Sequence, residues 1–538
     1  MEAGRELLFR VKGWLDDDEF KELLSFSRYL GRERGFSIFK IDPGRLRETG
    51  MTLRDAVEVL RSVKGIVEDD LESIERLAEE LETVVVELTR EGKLAVYSKA
   101  YLKPIVESQG LPLTYNRNLR RYITEPMNYY RVVEAFSNAG FKVVDRVYPE
   151  GGLRLPRKAR FTGELRDYQE EALEAWRKAG YRGVIVLPTG AGKTVIAIAG
   201  VVELGVWSLI VVYTRDHVNQ WMEAFRKFTD ASSMVGAYYG EEKRLAPITV
   251  TTYQTAFRRI RELATRFKLI VFDEAHHIPA DKFKTIALSS PAPYRLGLSA
   301  TIEREDGRHE EIFPLVGGVV YSIDPGELTR RGYLAPFIIR KVRVRLEREE
   351  RKRYLELKRK YQALARGRTF DRILEDAKKG DEAAIEALRV HAQMRDLVQH
   401  SKAKLKEVER IVREELSRGS KIIVFTQYKR QAEEIAKALG ALLVHGGLDR
   451  ARRELALKKF KSMRSGVLVV TTVGDEGLDI PDANVGVIVS GTGSRRQFIQ
   501  RLGRLLRPKE GKSAVLYEVV AEGTGEEYQS LKRRGLID

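Results

Sequence analysis

The chain has 538 residues. A single hydrophobic core rarely supports a chain of this length, so three or four domains are expected. Lysine and arginine outnumber aspartate and glutamate by 95 to 78, and the net charge of +17 suits a nucleic-acid partner, although general solubility also explains it. Cysteine is absent, which excludes disulfides, thiolate catalysis and cysteine-ligated metals. No apolar run of about 18 residues and no signal-like N-terminus is present, so we expect a cytoplasmic protein without membrane association.

Residues 1–155 mix strand and helix patterns and predict an α+β domain. Apolar residues recur at helical spacing over 52–63 and 70–81, and strands are expected near 36–41 and 84–88. Within this domain, residues 115–130 interleave tyrosine with arginine, a composition that suits stacking on nucleic-acid bases. A solvated helix with its aromatic side chains in the core is at least as good an interpretation.

From residue 156 onward, short apolar strands alternate with helical segments in two series. This alternation predicts two α/β domains, each a parallel sheet covered by helices, over 156–335 and 401–538. Between them, 336–400 begins with a strand and continues as charged helices. Residues 341–380 hold 15 Lys/Arg and seven Asp/Glu, which indicates either an arm that grips phosphates or a solvated, salt-bridged helix pair.

A glycine-rich turn lies between an apolar strand and an apolar helix at the start of the first series. Such a turn directs backbone N–H groups and the positive end of the helix dipole at an anion. We therefore predict a phosphate-binding loop for ATP, in which Lys193 reaches the β- and γ-phosphates and Thr194 holds Mg²⁺. The loop is formed by Leu187, Pro188, Thr189, Gly190, Ala191, Gly192, Lys193 and Thr194.

An acidic pair follows the apolar strand 269–272. Because α/β sheets bind ligands at the carboxyl ends of their strands, Asp273 is expected to hold Mg²⁺ and Glu274 to act as the general base for the attacking water. Taken alone, the tetrapeptide Asp-Glu-Ala-His at 273–276 is also compatible with an ordinary polar end of a strand. His276 fits either a link between the nucleotide site and the second domain or a simple strand-end hydrogen bond.

The phosphate loop and the acidic pair together resemble the motifs of the superfamily 2 nucleic-acid helicases and translocases. That resemblance implies two RecA-like domains, with Arg166 and Gln169 in a Q motif that pairs with adenine. It identifies Ser299 and Thr301 with motif III, which couples hydrolysis to domain motion. In the second domain it implies that Gly477 and Asp479 lie in motif V near the ribose, and that motif VI supplies Gln500 and the arginine fingers Arg504 and Arg507.

Further short motifs resemble those of one family within this superfamily, the XPB helicases of nucleotide-excision repair and transcription. Arg304, Glu305 and Asp306 match that family's Arg-Glu-Asp motif and are expected near the point of strand separation, and the basic 336–400 segment occupies the position of its thumb. Membership implies an ATP- and Mg²⁺-dependent DNA helicase or translocase of 3′→5′ polarity. It also implies a possible small nuclease partner and, for residues 1–155, a damage-recognition-like, DNA-binding domain of archaeal type.

Two other functions remain open from the sequence. The chain can be an ATP-switched scaffold that binds DNA, recruits a nuclease and unwinds little. It can also be an RNA helicase, which the Arg-Glu-Asp motif disfavours. A thermophilic origin agrees with the high charge content and the absence of cysteine.

Overall fold

The computed structural model describes residues 7–148, 152–301, 308–334, 337–471, 483–490 and 514–527. These divide into two units. The first takes in the chain up to residue 153 together with 260–266 and 288–293, and the second takes in the rest.

The first unit begins with a small antiparallel sheet of order β1-β3-β2, whose strands lie directly before or after helices. Alternate strand residues, such as Phe9 and Phe39, are buried against α1, α3 and α4, which is the pattern of a sheet with one covered face. Its elements are β1 (Leu8–Lys12), α1 (Asp17–Phe26), β2 (Ser27–Glu33), β3 (Phe36–Ile41), α2 (Pro43–Thr49), α3 (Leu53–Ser62) and α4 (Glu68–Leu81).

The same unit continues with a mixed five-stranded sheet of order β6-β7-β5-β4-β8. Its core is built around Val84, Val86, Val132 and Phe136, all without exposed surface. Its elements are β4 (Thr83–Leu88), β5 (Leu94–Tyr97), α5 (Lys103–Ser108), β6 (Thr114–Asn116), β7 (Arg121–Thr124), α6 (Tyr129–Asn138) and β8 (Lys142–Asp145). The helix considered for 115–130 is wrong for most of that segment, because residues 114–124 pair as the hairpin β6–β7.

The second unit opens with a sheet of eight described strands in the order β12-β11-β13-β10-β14-β15-β9-β16, parallel except for β12. Both faces of its central strands are buried, which explains their continuous apolar runs. Its elements are α7 (Asp167–Lys178), β9 (Arg182–Val186), α8 (Lys193–Leu204), β10 (Ser208–Val212), α9 (Arg215–Phe228), β11 (Val235–Tyr239), β12 (Glu242–Lys243), β13 (Ile248–Thr252), α10 (Tyr253–Leu263), β14 (Leu269–Asp273), α11 (Asp281–Ser289), β15 (Tyr294–Ser299), α12 (Ile312–Val316), β16 (Val319–Ser322) and α13 (Pro325–Arg330).

A second parallel sheet follows, with the order β17-β22-β21-β18-β20-β19 among the described strands. The basic segment forms three helices: α14 and α16 pack through Tyr354, Leu357, Val390 and Met394, and α15 packs against both through Ile373. The elements are β17 (Phe337–Val344), α14 (Arg348–Ala365), α15 (Phe370–Lys378), α16 (Glu382–Gln399), α17 (Lys402–Ser417), β18 (Lys421–Thr426), α18 (Lys429–Leu439), β19 (Leu442–Val444), α19 (Arg450–Ser462), β20 (Gly466–Thr471), β21 (Val485–Ile488) and β22 (Ala514–Ala521).

The predicted fold class is confirmed, since two helix-covered parallel sheets of the RecA type follow an α+β region and a helical insert separates β17 from β18. The domain boundaries at 155, 335 and 400 stay predictions. Among the described helices, none is both long and apolar enough to span a lipid bilayer.

Candidate active site

The glycine-rich turn and the acidic pair lie at the same edge of the first parallel sheet. β9 leads into the turn, β14 ends at Asp273, and β15 lies between these two strands. The register pairs Ser299 with Val186 and Leu298 with Asp273, so the three carboxyl ends are level. The sheet therefore brings together groups that are about eighty residues apart in sequence.

Two glycines give the turn its shape. Gly190 and Gly192 have φ angles of 87° and 78°, in the left-handed region where glycine is favoured. Gly192 is also the residue that caps the N-terminus of α8. A Cβ at this position would lie 2.4 Å from Nε2 of Gln169, so a larger residue would displace that side chain as well as strain the backbone. The N–H groups of the first turn of α8 have no acceptor within the helix and can serve an anion.

Lys193 folds back over the turn. Its Nζ donates to the carbonyl oxygens of Leu187 (2.9 Å) and Pro188 (3.4 Å). Burial lowers the pKa of the Lys193 ammonium, and the nearby Glu274 and Asp273 carboxylates act in the opposite direction. The cation predicted to hold phosphates thus lies near both predicted catalytic carboxylates.

Asp273 is held by three donors. The Trp221 indole Nε1–H donates to Oδ2 (2.8 Å), and the Glu274 backbone N–H donates to Oδ1 (3.0 Å). The Tyr253 hydroxyl donates to the Asp273 carbonyl oxygen (3.1 Å). Both the side chain and the main chain of this residue are therefore fixed.

Glu274 and His276 connect the acidic pair to motif III. Glu274 adopts a left-handed backbone conformation (φ 52°), which is uncommon for a residue with a side chain and occurs more often at functional sites. Its Oε2 lies 3.3 Å from Nδ1 of the fully buried His276, and that nitrogen lies 3.2 Å from the Ser299 hydroxyl. Ser299 in turn donates to the Thr301 carbonyl oxygen. The structure therefore brings His276, Ser299 and Thr301 together at a strand-end hydrogen-bond chain.

The predicted Q motif contacts the phosphate loop. Gln169 Nε2 donates to the Ala191 carbonyl oxygen (3.0 Å), and its Oε1 accepts from the Arg166 backbone N–H (2.9 Å). The Tyr168 hydroxyl donates to the same Ala191 oxygen (2.8 Å), and the Arg166 guanidinium lies over the Tyr333 ring. Both ends of the Gln169 amide are thus engaged within the chain, and pairing with adenine stays a prediction.

The loop fits a nucleotide triphosphate and its metal on the residues themselves. Among the described residues the Thr189 hydroxyl is buried without a hydrogen-bond partner, as expected of a group that contacts phosphate. The glycine at 192 lets Gln169 approach the loop backbone closely. Thr194 at the helix start and Asp273 supply the hydroxyl and carboxylate oxygens that Mg²⁺ prefers.

Several predicted site residues lie outside the described part of the chain. These are Arg304, Glu305, Asp306, Gly477, Asp479, Gln500, Arg504 and Arg507.

Three contributors to the site were missed from the sequence. Trp221, Tyr253 and Tyr168 are buried aromatic residues whose polar ends reach Asp273 or the phosphate loop. In the sequence they fit the apolar faces of helices, so only their hydrogen-bonding groups, which buried tyrosine and tryptophan normally satisfy, could have drawn attention to them.

The chain is similar to several known proteins. Residues 162–304 match the family described as the type III restriction enzyme res subunit, and residues 385–538 match the ERCC3/RAD25/XPB C-terminal helicase family. A DNA 3′-5′ translocase XPB2 of Sulfurisphaera tokodaii is 41% identical over 69% of this chain and 84% of its own length. A DNA 3′-5′ helicase XPB of Mycobacterium tuberculosis is 32% identical over 70% of this chain and 64% of its own length. The helicase domain of Pyrococcus furiosus Hef superposes on 69% of this chain and 98% of its own, with a TM-score of 0.47 and 24% identity.

A phosphate loop and an acidic pair on one parallel sheet, followed by a second parallel sheet in the same chain, define a two-domain helicase or translocase. Within that class, the match to the XPB C-terminal helicase family and the 41% identical XPB2 relative identify the family. The chain belongs to the XPB family of DNA helicases and translocases.

Proposed function

We propose that this protein hydrolyses ATP at the P-loop and uses the hydrolysis to move 3′→5′ along DNA and open the duplex during repair. The observation that supports it most is the meeting of Lys193, Asp273 and Glu274 at level strand ends of one sheet. The polarity and the DNA substrate come from the relatives, which are named as DNA 3′-5′ translocases and helicases.

Each residue at the loop has a separate task in this mechanism. The N–H groups at the start of α8 and the Lys193 ammonium bind and orient the phosphates. Thr194 and Asp273 would hold Mg²⁺, which when bound neutralises phosphate charge. Glu274 would orient the attacking water and accept its proton, because its carboxylate follows Asp273 directly at the strand end.

The second domain completes the site in this proposal. Arg504 and Arg507 of motif VI would supply positive charge to the transferring phosphoryl group, a contribution worth about 10³–10⁵ in rate for such arginines. Gln500, Gly477 and Asp479 would form the remaining face. Since ATP drives motion only if it binds one arrangement better than another, these arginines link nucleotide state to domain closure.

The N-terminal hairpin offers a second contact with DNA. Tyr115 and Leu119 are each 49% exposed, and Arg117 and Arg120 are exposed beside them at the tip of the hairpin. Tyr115 packs edge-on against Tyr122. Exposed aromatic and apolar groups beside cations suit stacking on bases while the arginines contact phosphates, so we extend the proposal to DNA binding by residues 1–155.

The proposal is tested by steady-state ATP hydrolysis with no nucleic acid, single-stranded DNA, duplex DNA or RNA. Displacement of a strand from a 3′-tailed duplex is measured alongside. We expect DNA stimulation and displacement, and Lys193→Ala is expected to lower hydrolysis by about 10²–10³-fold, because it removes a charge-stabilising donor. Stimulation by RNA alone would contradict the proposal.

A translocase without strand separation is the second candidate, since the relative from Sulfurisphaera tokodaii is named a translocase. It predicts DNA-stimulated hydrolysis and displacement of a triplex-forming strand, with the tailed duplex left intact. If the protein is instead a scaffold that recruits a nuclease, DNA binding should persist in Lys193→Ala, and neither the triplex-forming strand nor the duplex strand should be displaced.

A further inference from the structure

Trp221 connects helix α9 to the predicted metal-binding carboxylate. Its side chain is 1% exposed, and its indole N–H donates to Oδ2 of Asp273 at 2.8 Å. The indole N–H is only a donor, so it holds one carboxylate oxygen in a fixed direction. The Glu274 backbone N–H holds the other oxygen, which leaves the Asp273 carboxyl plane with a single orientation.

Helix α9 has little freedom to move this donor. Its first residue follows Thr214, whose hydroxyl caps the helix by accepting the His217 backbone N–H at 3.2 Å. Phe225, one turn after Trp221, is fully buried and lies beside the Trp221 ring, with centroids 6.2 Å apart. The indole is therefore anchored by its helix and by the core at the same time.

We propose that Trp221 is a positioning residue for Mg²⁺ binding: it acts through Asp273 and sets the direction in which that carboxylate faces the metal. Groups that hold metal ligands from outside the coordination shell commonly change metal affinity or activity by about 10–100-fold. This inference rests on the proposed role of Asp273. In this proposal Trp221 contacts neither nucleotide nor metal and acts only through its hydrogen bond to Asp273.

A matched control is available on helix α7, which packs into the same hydrophobic core. Trp176 is also fully buried, and its indole N–H donates to the Arg295 carbonyl oxygen at 2.9 Å. Replacing either tryptophan with phenylalanine removes one buried hydrogen bond and leaves an aromatic ring. A purely structural role for Trp221 therefore predicts the same phenotype for both variants.

The test uses full-length Trp221→Phe and Trp176→Phe at a temperature at which thermal melts show both folded. We would measure the Mg²⁺ concentration for half-maximal ATP hydrolysis, kcat, and the affinity for a fluorescent ADP analogue with and without Mg²⁺. For Trp221→Phe we expect about a tenfold or greater rise in the half-maximal Mg²⁺ concentration. The gain in ADP affinity on adding Mg²⁺ should shrink, while metal-free ADP affinity stays unchanged. Trp176→Phe should keep the wild-type Mg²⁺ profile.

Two further proteins make the outcomes decisive. Site-specific benzothienylalanine at position 221 keeps the shape of the indole but replaces its N–H with sulfur, so it should reproduce the Mg²⁺ shift even if Trp221→Phe folds poorly. Asp273→Asn tests the proposed metal site itself. A wild-type Mg²⁺ profile in both position-221 proteins with an inactive Asp273→Asn would overturn this inference alone. An Asp273→Asn protein with wild-type Mg²⁺ dependence would instead overturn the proposed function of that residue.

Discussion

Individual residues at the phosphate loop have backbone and side-chain requirements that few substitutions meet. Gly192 has a left-handed backbone conformation, and because it lacks a side chain, the Gln169 amide from α7 can lie against it. Asp273 has both carboxylate oxygens engaged by donors on separate segments. The direction of this carboxylate is therefore fixed by the chain's own donors, and such preorganisation is the condition under which charge stabilisation is most effective.

Gly192→Ala is expected to remove nucleotide binding. The new Cβ would meet Gln169 Nε2 at 2.4 Å and would sit at φ 78°, which costs about 1–2 kcal/mol for a residue with a side chain. Affinity for a fluorescent ADP analogue and thermal unfolding check this. Gly205→Ala is the control, because Gly205 caps the other end of α8 at φ 60° with nothing closer than 4.0 Å. If Gly205→Ala loses ADP affinity equally, general strain in α8 and not the loop geometry is responsible.

At the scale of an element, the β6–β7 hairpin carries exposed arginine side chains at its tip. Arg120 sits at φ 51° at the turn, and Asn116 accepts the backbone N–H groups of Asn118 and Leu119, which closes the loop tightly. The turn therefore fixes the spacing of the two arginines, 117 and 120, relative to Tyr115.

Replacing Arg117 and Arg120 together with asparagine should weaken DNA binding uniformly across sequences. Asparagine tolerates the positive φ at 120, so the hairpin should persist while two phosphate contacts are lost. The slope of log affinity against log salt should fall by about two. Fluorescence anisotropy over a salt series measures it. The double variant of Arg54 and Arg61, which pair with Glu82 and Glu75, removes the same charge and should change the slope far less. Equal slopes for the two double variants would argue against the hairpin as a DNA contact.

At the scale of the whole molecule, the last described segment is attached to helix α17 by a buried ion pair. Lys404 of α17 is 1% exposed, and its Nζ lies 2.9 Å from both carboxylate oxygens of Glu526. The segment follows β22, which lies between β17 and β21. The pair therefore holds the residues after β22 against α17, next to the sheet in which β22 pairs with β17.

Lys404→Ala should destabilise the second domain by about 3–5 kcal/mol, because it leaves a carboxylate in a partly buried site without its partner. Lys406→Ala is the matched control on the same helix: Lys406 also pairs with a glutamate, Glu347, at 2.7 Å, but its side chain is 74% exposed. That exposed pair should contribute far less, because water screens the attraction between its charges. Denaturant unfolding followed by circular dichroism compares the two, and similar losses for both variants would contradict a special role for burial.

Much of this protein was predictable from local pattern. The period-two and apolar runs located β3 at Phe36–Ile41 and placed β4, expected at 84–88, within one residue of its bounds Thr83–Leu88, because each strand's neighbours along the chain already indicate burial. The glycine-rich turn and the Asp-Glu pair were identifiable for the same reason, since each is a contiguous motif. The helix considered for residues 115–130 failed because the turn at Asn116 and Arg120 overrides the composition of the segment.

The sequence by itself determined the fold class, the phosphate loop and the acidic pair, because the contacts that define them are short in range or repeat regularly. Tertiary structure alone decided that Trp221 and Tyr253 hold Asp273 and that Gln169 reaches Ala191. It also decided that Lys404 is buried while Lys406, two residues later, is exposed. These outcomes depend on which strands lie side by side and on which turn of a helix faces them, and that order comes from packing many distant segments at once, which no local window contains.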